Sequence, residues 1–374
     1  MAVAADPATD LVTDHALAAL VERVREARAG KAALCIVGGG TKDFLGGVPQ
    51  GEPLDLRPLA GVSSYEPSEL VVTARAGTPL AELEALLARH GQCLPFEPPR
   101  FSPAGTVGGM VAAGLAGPAR AAAGGVRDHV LGATLLDGRG ELLSFGGQVI
   151  KNVAGYDVSR LLAGSMGVLG VICEVSLKVL PRPPALLTLR LELDEAQALR
   201  RLNEWGGRPL PLNASAWWEG TLVVRLAGAA AAVQSARSAI GGEVIEPAMA
   251  DPFWDGLRDQ RDEFFVGALK AVAAGAGLWR LSLPSTAPPL KLSGEQLVEW
   301  GGAQRWLCTT APAAVLHEAA AAAGGHATLF RAPRREDGGR GAPLKPALAR
   351  IHRQLKQAFD PDGIFNRGRL VPEW

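Results

Sequence analysis

Near the start of the chain, Leu11, Leu17, Leu20, Val21 and Val24 recur at helical spacing, with Glu22, Arg23, Arg25 and Glu26 opposite them. This predicts an amphipathic helix over 11–29, ended by Gly30. A short apolar strand, Ala33–Val37, then runs straight into Gly38-Gly39-Gly40-Thr41-Lys42. Further strands are expected near Leu54–Leu56 and over Tyr65–Ala76. Pro79 suits the first turn of a helix over Leu80–His90, whose Leu80, Leu83, Leu86 and Leu87 share one face. Residues 98–128 are dense in Gly, Ala and Pro. Strands return at Val130–Leu136 and Glu141–Phe145, and Asp137-Gly138-Arg139-Gly140 between them reads as a hairpin turn. A polar loop (Lys151–Asp157), a short helix (Val158–Ala163) and the apolar run Val168–Leu180 follow.

Pro181-Arg182-Pro183-Pro184 is the clearest boundary in the chain. Beyond it the pattern gives a strand (Leu186–Leu193), a helix (Asp194–Trp205), paired strands (Ser215–Trp218, Thr221–Leu226), a helix (Ala229–Ile240) and a strand (Glu243–Glu246). That β-α-β-β-α-β order suits a ferredoxin-like sheet with helices on one face. Strands near Leu278–Leu283, Ala303–Thr309 and Ala327–Arg331 would extend it. A charged linker, Arg334–Arg340, leads to a basic amphipathic helix over Pro346–Phe359. The fold class expected is α+β.

Composition narrows the function. In 374 residues, Lys+Arg and Asp+Glu both number 38, so there is no basic excess to neutralise phosphates and no nucleic-acid partner is expected. Apolar residues make up 48%, enough for sizeable cores and against disorder. Cys35, Cys93, Cys173 and Cys308 include no CxxC pair, so neither an iron–sulfur cluster nor a zinc site is expected. The start of the chain lacks the basic and apolar regions of a secretory signal. The uncharged stretch Phe101–Ala119 is broken by prolines and glycines and reads as a buried loop and helix start. A soluble cytoplasmic protein is expected.

Glycine, at 46 residues, is abundant, and two loops concentrate it: Val37–Lys42, and Ser102-Pro103-Ala104-Gly105-Thr106-Val107-Gly108-Gly109. A diphosphate needs several N–H donors converging on a small volume, which side chains would obstruct. Successive amides form such an anion nest, and a helix N-terminus, here expected at Thr106, adds partial positive charge. Neither loop has the spacing of a P-loop or of the Rossmann fingerprint. Tight turns in a glycine-rich chain are the plainer reading of either loop alone.

With a third stretch, these motifs become specific. Residues 30–181 resemble the FAD-binding domain of the vanillyl-alcohol-oxidase, or p-cresol-methylhydroxylase (PCMH), type. The matching residues are Val37–Lys42, Ser102–Gly109, and Val149-Ile-Lys-Asn-Val-Ala-Gly-Tyr-Asp157 with Leu161-Leu-Ala-Gly-Ser-Met-Gly-Val-Leu-Gly-Val-Ile172. Adding Gly324–Arg331 and Phe359–Leu370, the chain resembles the FAD-binding E subunits of bacterial glycolate oxidases. Arg367 stands where those tails are expected to carry proline.

The resemblance implies a two-domain flavoprotein: 1–182 the FAD-binding domain, 183–335 a ferredoxin-like cap, and 336–374 a segment returning to the FAD domain. It implies that Val37, Gly38, Gly39, Gly40, Thr41 and Lys42, with Ser102, Gly105, Thr106, Gly108 and Gly109, hold the FAD pyrophosphate. Asn152, Gly155 and Tyr156 would lie near the isoalloxazine. Gly164, Ser165, Gly167, Gly170, Val171 and Ile172 would meet the cofactor through backbone contacts. No histidine or cysteine follows the first glycines, so the flavin is expected to be non-covalent.

The reaction implied is oxidation of a 2-hydroxy acid, glycolate to glyoxylate, needing a cation for the carboxylate and a base for the hydroxyl. Arg225, Arg280 and Arg331 are the candidate cations, and His326 and Tyr156 the candidate proton acceptors. His129 is expected to support the flavin site. The implied partners are a second FAD-binding subunit and an iron–sulfur subunit, with peripheral membrane association through them. Two alternatives remain open: a stand-alone FAD-dependent 2-hydroxy-acid dehydrogenase, and a flavin-free assembly subunit.

Overall fold

A computed structural model describes residues 15–147, 157–334, 341 and 344–374. Helix α1 (His15–Gly30) buries Leu17, Leu20, Val24 and Ala27. Strand β1 (Leu34–Val37) pairs in parallel with β2 (Glu52–Asp55). The expected long strand Tyr65–Ala76 is instead a hairpin: β3 (Val62–Glu66) and β4 (Val71–Arg75) pair antiparallel. The chain reverses over Pro67–Glu69, with Leu70 left-handed at φ 57°. Pro67, which fixes its own φ and donates no N–H, suits the turn and not the middle of a paired strand.

Helix α2 (Leu80–Arg89) leads to α3 (Val107–Ala113), which Thr106 caps by accepting from Gly109 N at 3.2 Å. Gly114, at φ 63°, ends α3 in the left-handed conformation that glycine adopts without strain. Strands β5 (Val130–Leu136), β6 (Leu142–Gly146) and β7 (Val171–Lys178) complete a five-stranded antiparallel sheet of order β3-β4-β7-β5-β6. β5 is buried along its whole length, because the sheet is covered on both faces there.

The second half builds an eight-stranded sheet from β8 (Ala185–Glu192), β9 (Leu212–Trp218), β10 (Thr221–Gly228), β11 (Glu243–Ile245), β12 (Gly277–Ser282), β13 (Glu295–Glu299), β14 (Gln304–Thr309) and β15 (His326–Arg331). The order is β11-β8-β10-β9-β13-β14-β12-β15, every pair antiparallel. Helices α4 (Glu195–Gly206) and α5 (Ala230–Ile240) complete the expected ferredoxin-like unit, whose strands lie in the order 4-1-3-2. The unit then recurs. β12, β13, β14 and β15 repeat the 4-1-3-2 order in mirror sequence along the sheet, with residues 283–294 where the first connecting helix would stand. The two units meet edge to edge through Ala216↔Glu299 and Trp217↔Val298.

Between the units run α6 (Pro247–Arg258) and α7 (Glu263–Ala273); α8 (Ala313–Ala322) belongs to the second unit, and α9 (Pro346–Phe359) opens the tail. The tail returns to β1, where Leu34 N donates to Ile364 O at 2.7 Å and Asn366 N to Leu34 O at 2.9 Å. Lys356 Nζ holds the turn in place, donating to Asp360 at 2.5 Å, Val168 O at 2.7 Å and Phe365 O at 3.1 Å. One core fills the space around the five-stranded sheet. Another joins Leu45 and Leu115, with Phe44, Phe101 and Met166 against them, to Trp306, Phe330 and Phe265, and so seats the large sheet on the glycine-rich loops. No helix among the described residues is long and apolar enough to cross a membrane.

Candidate functional site

The strand end at Val37 and the N-terminal half of α3 form two walls of a cleft of about 890 Å³, part of it open to solvent. Val37, Gly38, Gly39, Gly40, Thr41, Lys42, Thr106, Gly108, Gly109, Gly167, Gly170 and Ile172 all line it. Pattern and resemblance had singled out these residues from three separate stretches of sequence, and the fold brings them together.

The glycines are needed for reasons the sequence argument only half anticipated. A Cβ on Gly39 would sit 1.5 Å from Ala104 O, and one on Gly38 2.7 Å from Thr106 Oγ1. One on Gly108 would sit 2.6 Å from Ala76 Cβ. These glycines let the first loop press directly on the second, and α3 on the end of β4, a reason beside the ligand approach and tight turns that the sequence suggests. What the packing leaves for a ligand is the main chain itself. The amides of Gly38, Gly39, Gly40, Thr41 and Lys42 donate no hydrogen bond within the described chain. Buried or half-buried amides are almost always paired, so a run of unpaired ones in a cleft is an anion nest. An FAD diphosphate fits that donor set, whereas the first amides of α3 add no free donor: Val107 N, Gly108 N and Gly109 N donate to Thr78 O, Ala76 O and Thr106 Oγ1.

Other predicted residues stand behind the lining. Ser102 Oγ accepts from Ala104 N, and Gly105 O accepts from Leu80 N at 2.8 Å, so both shape the second loop. Gly164 N donates to Val111 O at 3.0 Å, tying that loop to α3. Ser165 is buried in the adjoining turn, and Val171 begins β7 in the core. Asn152, Gly155 and Tyr156 lie outside the described residues.

Sequence reasoning missed the contribution of the tail. Asn366 lines the cleft, accepting from Ile36 N at 2.7 Å and donating to Met166 O at 2.7 Å, so it joins two walls. Arg369 also lines it, and its guanidinium reaches Lys42 O at 3.3 Å and Gly47 O at 3.3 Å. Both belong to the Phe359–Leu370 motif, whose return to the FAD domain the resemblance implies, although it does not give these two residues a place in the cleft lining. Met166, Ala112 and Ala113 complete the lining from positions that the pattern leaves as ordinary apolar residues.

The proposed reactive side chains separate sharply. Arg225 is engaged: it donates to Glu97 at 2.6 Å and Asn213 at 2.6 Å and stacks on Trp254, so it is a structural cation. His129 is buried against Phe96 and bonded to Ala123 O and Lys178 O, a packing role away from the cleft. His326 is exposed at the start of β15, across from Ser282, and does not line the cleft. Burial of its ring and, after that, the Arg280 charge lower its pKa from the ordinary value. Arg280 lines a separate chamber of about 340 Å³ beneath the large sheet.

Arg331 does not line the cleft, but it stands on the same Phe101 ring as Lys42, which does. Its guanidinium lies 3.2 Å from the ring centre of Phe44 and 5.5 Å from that of Phe101. Its Nε is buried without a hydrogen-bond partner, and burial lowers its pKa to about 10, which still leaves it charged at neutral pH. Lys42, 8% exposed, stands on the same Phe101 ring from the cleft side.

The sheet pattern and the amide-lined cleft define an FAD-binding flavoprotein of the vanillyl-alcohol-oxidase (PCMH) type. A family model described as "FAD binding domain" matches residues 11–146. Solved structures of alkyldihydroxyacetonephosphate synthase share the fold, with a TM-score of 0.61 over 93% of this chain and 73% of theirs at 14% identity. At the level of the particular protein, the chain is 49% identical to the glycolate oxidase subunit GlcE of Escherichia coli (strain K12), over 95% of its own length and 97% of the other's. It belongs to that GlcE family. A D-lactate dehydrogenase of Archaeoglobus fulgidus is 36% identical over 39% of this chain, covering 32% of the relative.

Proposed function

We propose that this chain is the FAD-binding subunit of a glycolate-oxidising complex. The run of unpaired amides from Gly38 to Lys42 carries this reading, because it offers an anion nest where the FAD-binding family match places the cofactor's domain. When bound, FAD supplies the two-electron acceptor for oxidation of the alcohol carbon. This chain's residues do the rest. Gly38–Lys42 hold the diphosphate, Thr106 and α3 shape the wall beside it, Asn366 fixes the cleft walls, and Arg331 holds the substrate carboxylate. Electrons then leave for partner subunits, a second FAD-binding chain and an iron–sulfur chain, which also bring the assembly to the inner face of the membrane. In domain terms, 1–182 and the tail 336–374 carry the cofactor and 183–335 forms the cap.

The test is the absorption spectrum of the purified chain before and after anaerobic addition of glycolate, alone and with its partner subunits. A flavin spectrum that bleaches with glycolate in the complex supports the reading. A chain that takes up no FAD sinks it.

A further inference from the structure

Lys42 and Arg331 come from opposite halves of the chain and converge on one aromatic ring. The Lys42 Nζ lies 5.6 Å from the Phe101 ring centre and the Arg331 Cζ 5.5 Å. Phe44 packs edge-on against Phe101 at 5.2 Å and carries Arg331 on its face. Two cations thus share a small aromatic platform where the large sheet meets the glycine loops.

Among the described residues, neither cation has a counter-ion. Among the described residues, Lys42 makes no ion pair, and its ammonium donates to Thr41 Oγ1 at 3.1 Å. Arg331 makes no ion pair either, and its one hydrogen bond is a long contact of 3.4 Å to Gln260 Oε1. A charge buried without a partner is costly, so a site holding two of them is built around a missing anion. Asp259, whose charge acts on Lys42, does not fill that role. Asp259 is occupied by Arg258 at 2.8 Å, Arg261 at 3.1 Å and Arg100 N at 2.9 Å.

We propose that Lys42 and Arg331 form a two-cation pocket at the cap end of the cleft that binds the carboxylate of a small 2-hydroxy or 2-oxo acid. This deepens the functional reading above and rests on it. It gives the Lys42 side chain to substrate recognition while its amide stays with the diphosphate, and it explains why a lysine follows Thr41 in a loop otherwise built from bare main chain. Arg331 supplies the planar fork and Lys42 the point charge.

The pairing also carries a pH signature. Burial pushes Lys42 down to about 8, with Asp259 opposing that fall. The charged groups facing it are Asp259 beyond α6, Arg331 on β15, Asp43 beside it in the loop, and Arg369 on the tail, whose guanidinium bonds the Lys42 carbonyl. Above about pH 8 the ammonium is lost and anion affinity should fall.

The experiment titrates oxalate, a non-oxidisable two-carbon carboxylate, into the FAD-loaded chain by calorimetry. Lys42→Met and Arg331→Met are each expected to weaken binding by about tenfold or more, the loss of one charge-assisted contact. Lys42→Arg is expected to keep affinity within about threefold and to hold it through the pH range where the wild type loses it. Unchanged oxalate affinity in Lys42→Met, or no oxalate binding by the FAD-loaded wild type, would overturn the proposal. Equal affinity for inorganic phosphate would overturn its carboxylate selectivity. A wild-type chain that takes up no FAD fails the functional reading instead. The same variants are then ranked in the apo chain, where unchanged oxalate affinity again counts against the pocket.

Discussion

Arg225 on β10 donates to Glu97 in the loop before α3 across 2.6 Å, and this pair ties the large sheet to the glycine-rich half. Glu97 is fixed from its other oxygen by Ala119 N at 3.0 Å, and Arg225 lies on the face of Trp254. Arg225→Met leaves the Glu97 carboxylate, 27% exposed, without its cation. The expected cost is about 3 kcal/mol, because removing one member of a largely buried pair strands the other. Urea unfolding of the two proteins checks this. An Arg225 that instead holds substrate would lower oxalate affinity and leave stability alone.

Gly39→Ala tests the cleft at its tightest point. Its Cβ would overlap Ala104 O at 1.5 Å, a backbone atom that cannot rotate away. The first loop must therefore lift off the second. Flavin content is expected to fall to background while the circular dichroism of the sheets persists. Flavin content equal to wild type would mean that the cleft tolerates the displaced loop.

The tail links stability to cofactor retention. Asp360 accepts from Lys356 Nζ, Ile364 N and Phe365 N, and the turn it organises delivers Asn366 to the cleft. Lys356→Met removes the only cation on the buried Asp360 among the described residues and is expected to cost about 3 kcal/mol. It should also weaken FAD binding, although Lys356 does not line the cleft. A Tm loss with unchanged FAD dissociation would separate the two roles.

Glu299 gives the fold a pH dependence. Burial, opposed by hydrogen bonds from Trp306 Nε1 and Gln304 Nε2, pushes its carboxyl from 4.5 up to about 7. The folded state therefore holds this proton more tightly than the unfolded chain. The contribution is fully present below about pH 4.5 and is lost as pH rises through about 7. Glu299→Gln keeps an acceptor for both donors and removes the titration. The stability difference between about pH 5 and about pH 8 should shrink in this variant, read from urea midpoints. An identical pH profile would mean that Glu299 does not titrate in that window.

The sequence made the repeating units of this fold legible wherever local pattern decides them. The first β-α-β-β-α-β run and the helix Pro346–Phe359 stand where their periodicity predicts. The hairpin at Pro67 was missed because its two strands read as one continuous β-rich segment. β13 was missed because its short run, Glu295–Glu299, is set by pairing with strands on either side. The glycine loops announced a cleft, but Asn366 and Arg369 reach it only through a chain return that local pattern does not encode. The three candidate arginines could not be ranked for the same reason. Arg225, Arg280 and Arg331 look alike in sequence, and only the partners supplied by the fold tell them apart.

The duplicated sheet divides labour along its seam. Its strands join through Ala216↔Glu299 and Trp217↔Val298, and side chains widen the join: Glu195 of the first unit accepts from Gln296 Nε2 at 2.7 Å and faces Arg305 at 3.6 Å, and Ser215 Oγ accepts from Gly301 N at 2.9 Å. Arg225 rivets one unit to the floor, while the other brings Arg331 over Phe44. A seam fastened by its side chains as well as its strands couples the two units, so anchoring one also sets where the other carries its arginine.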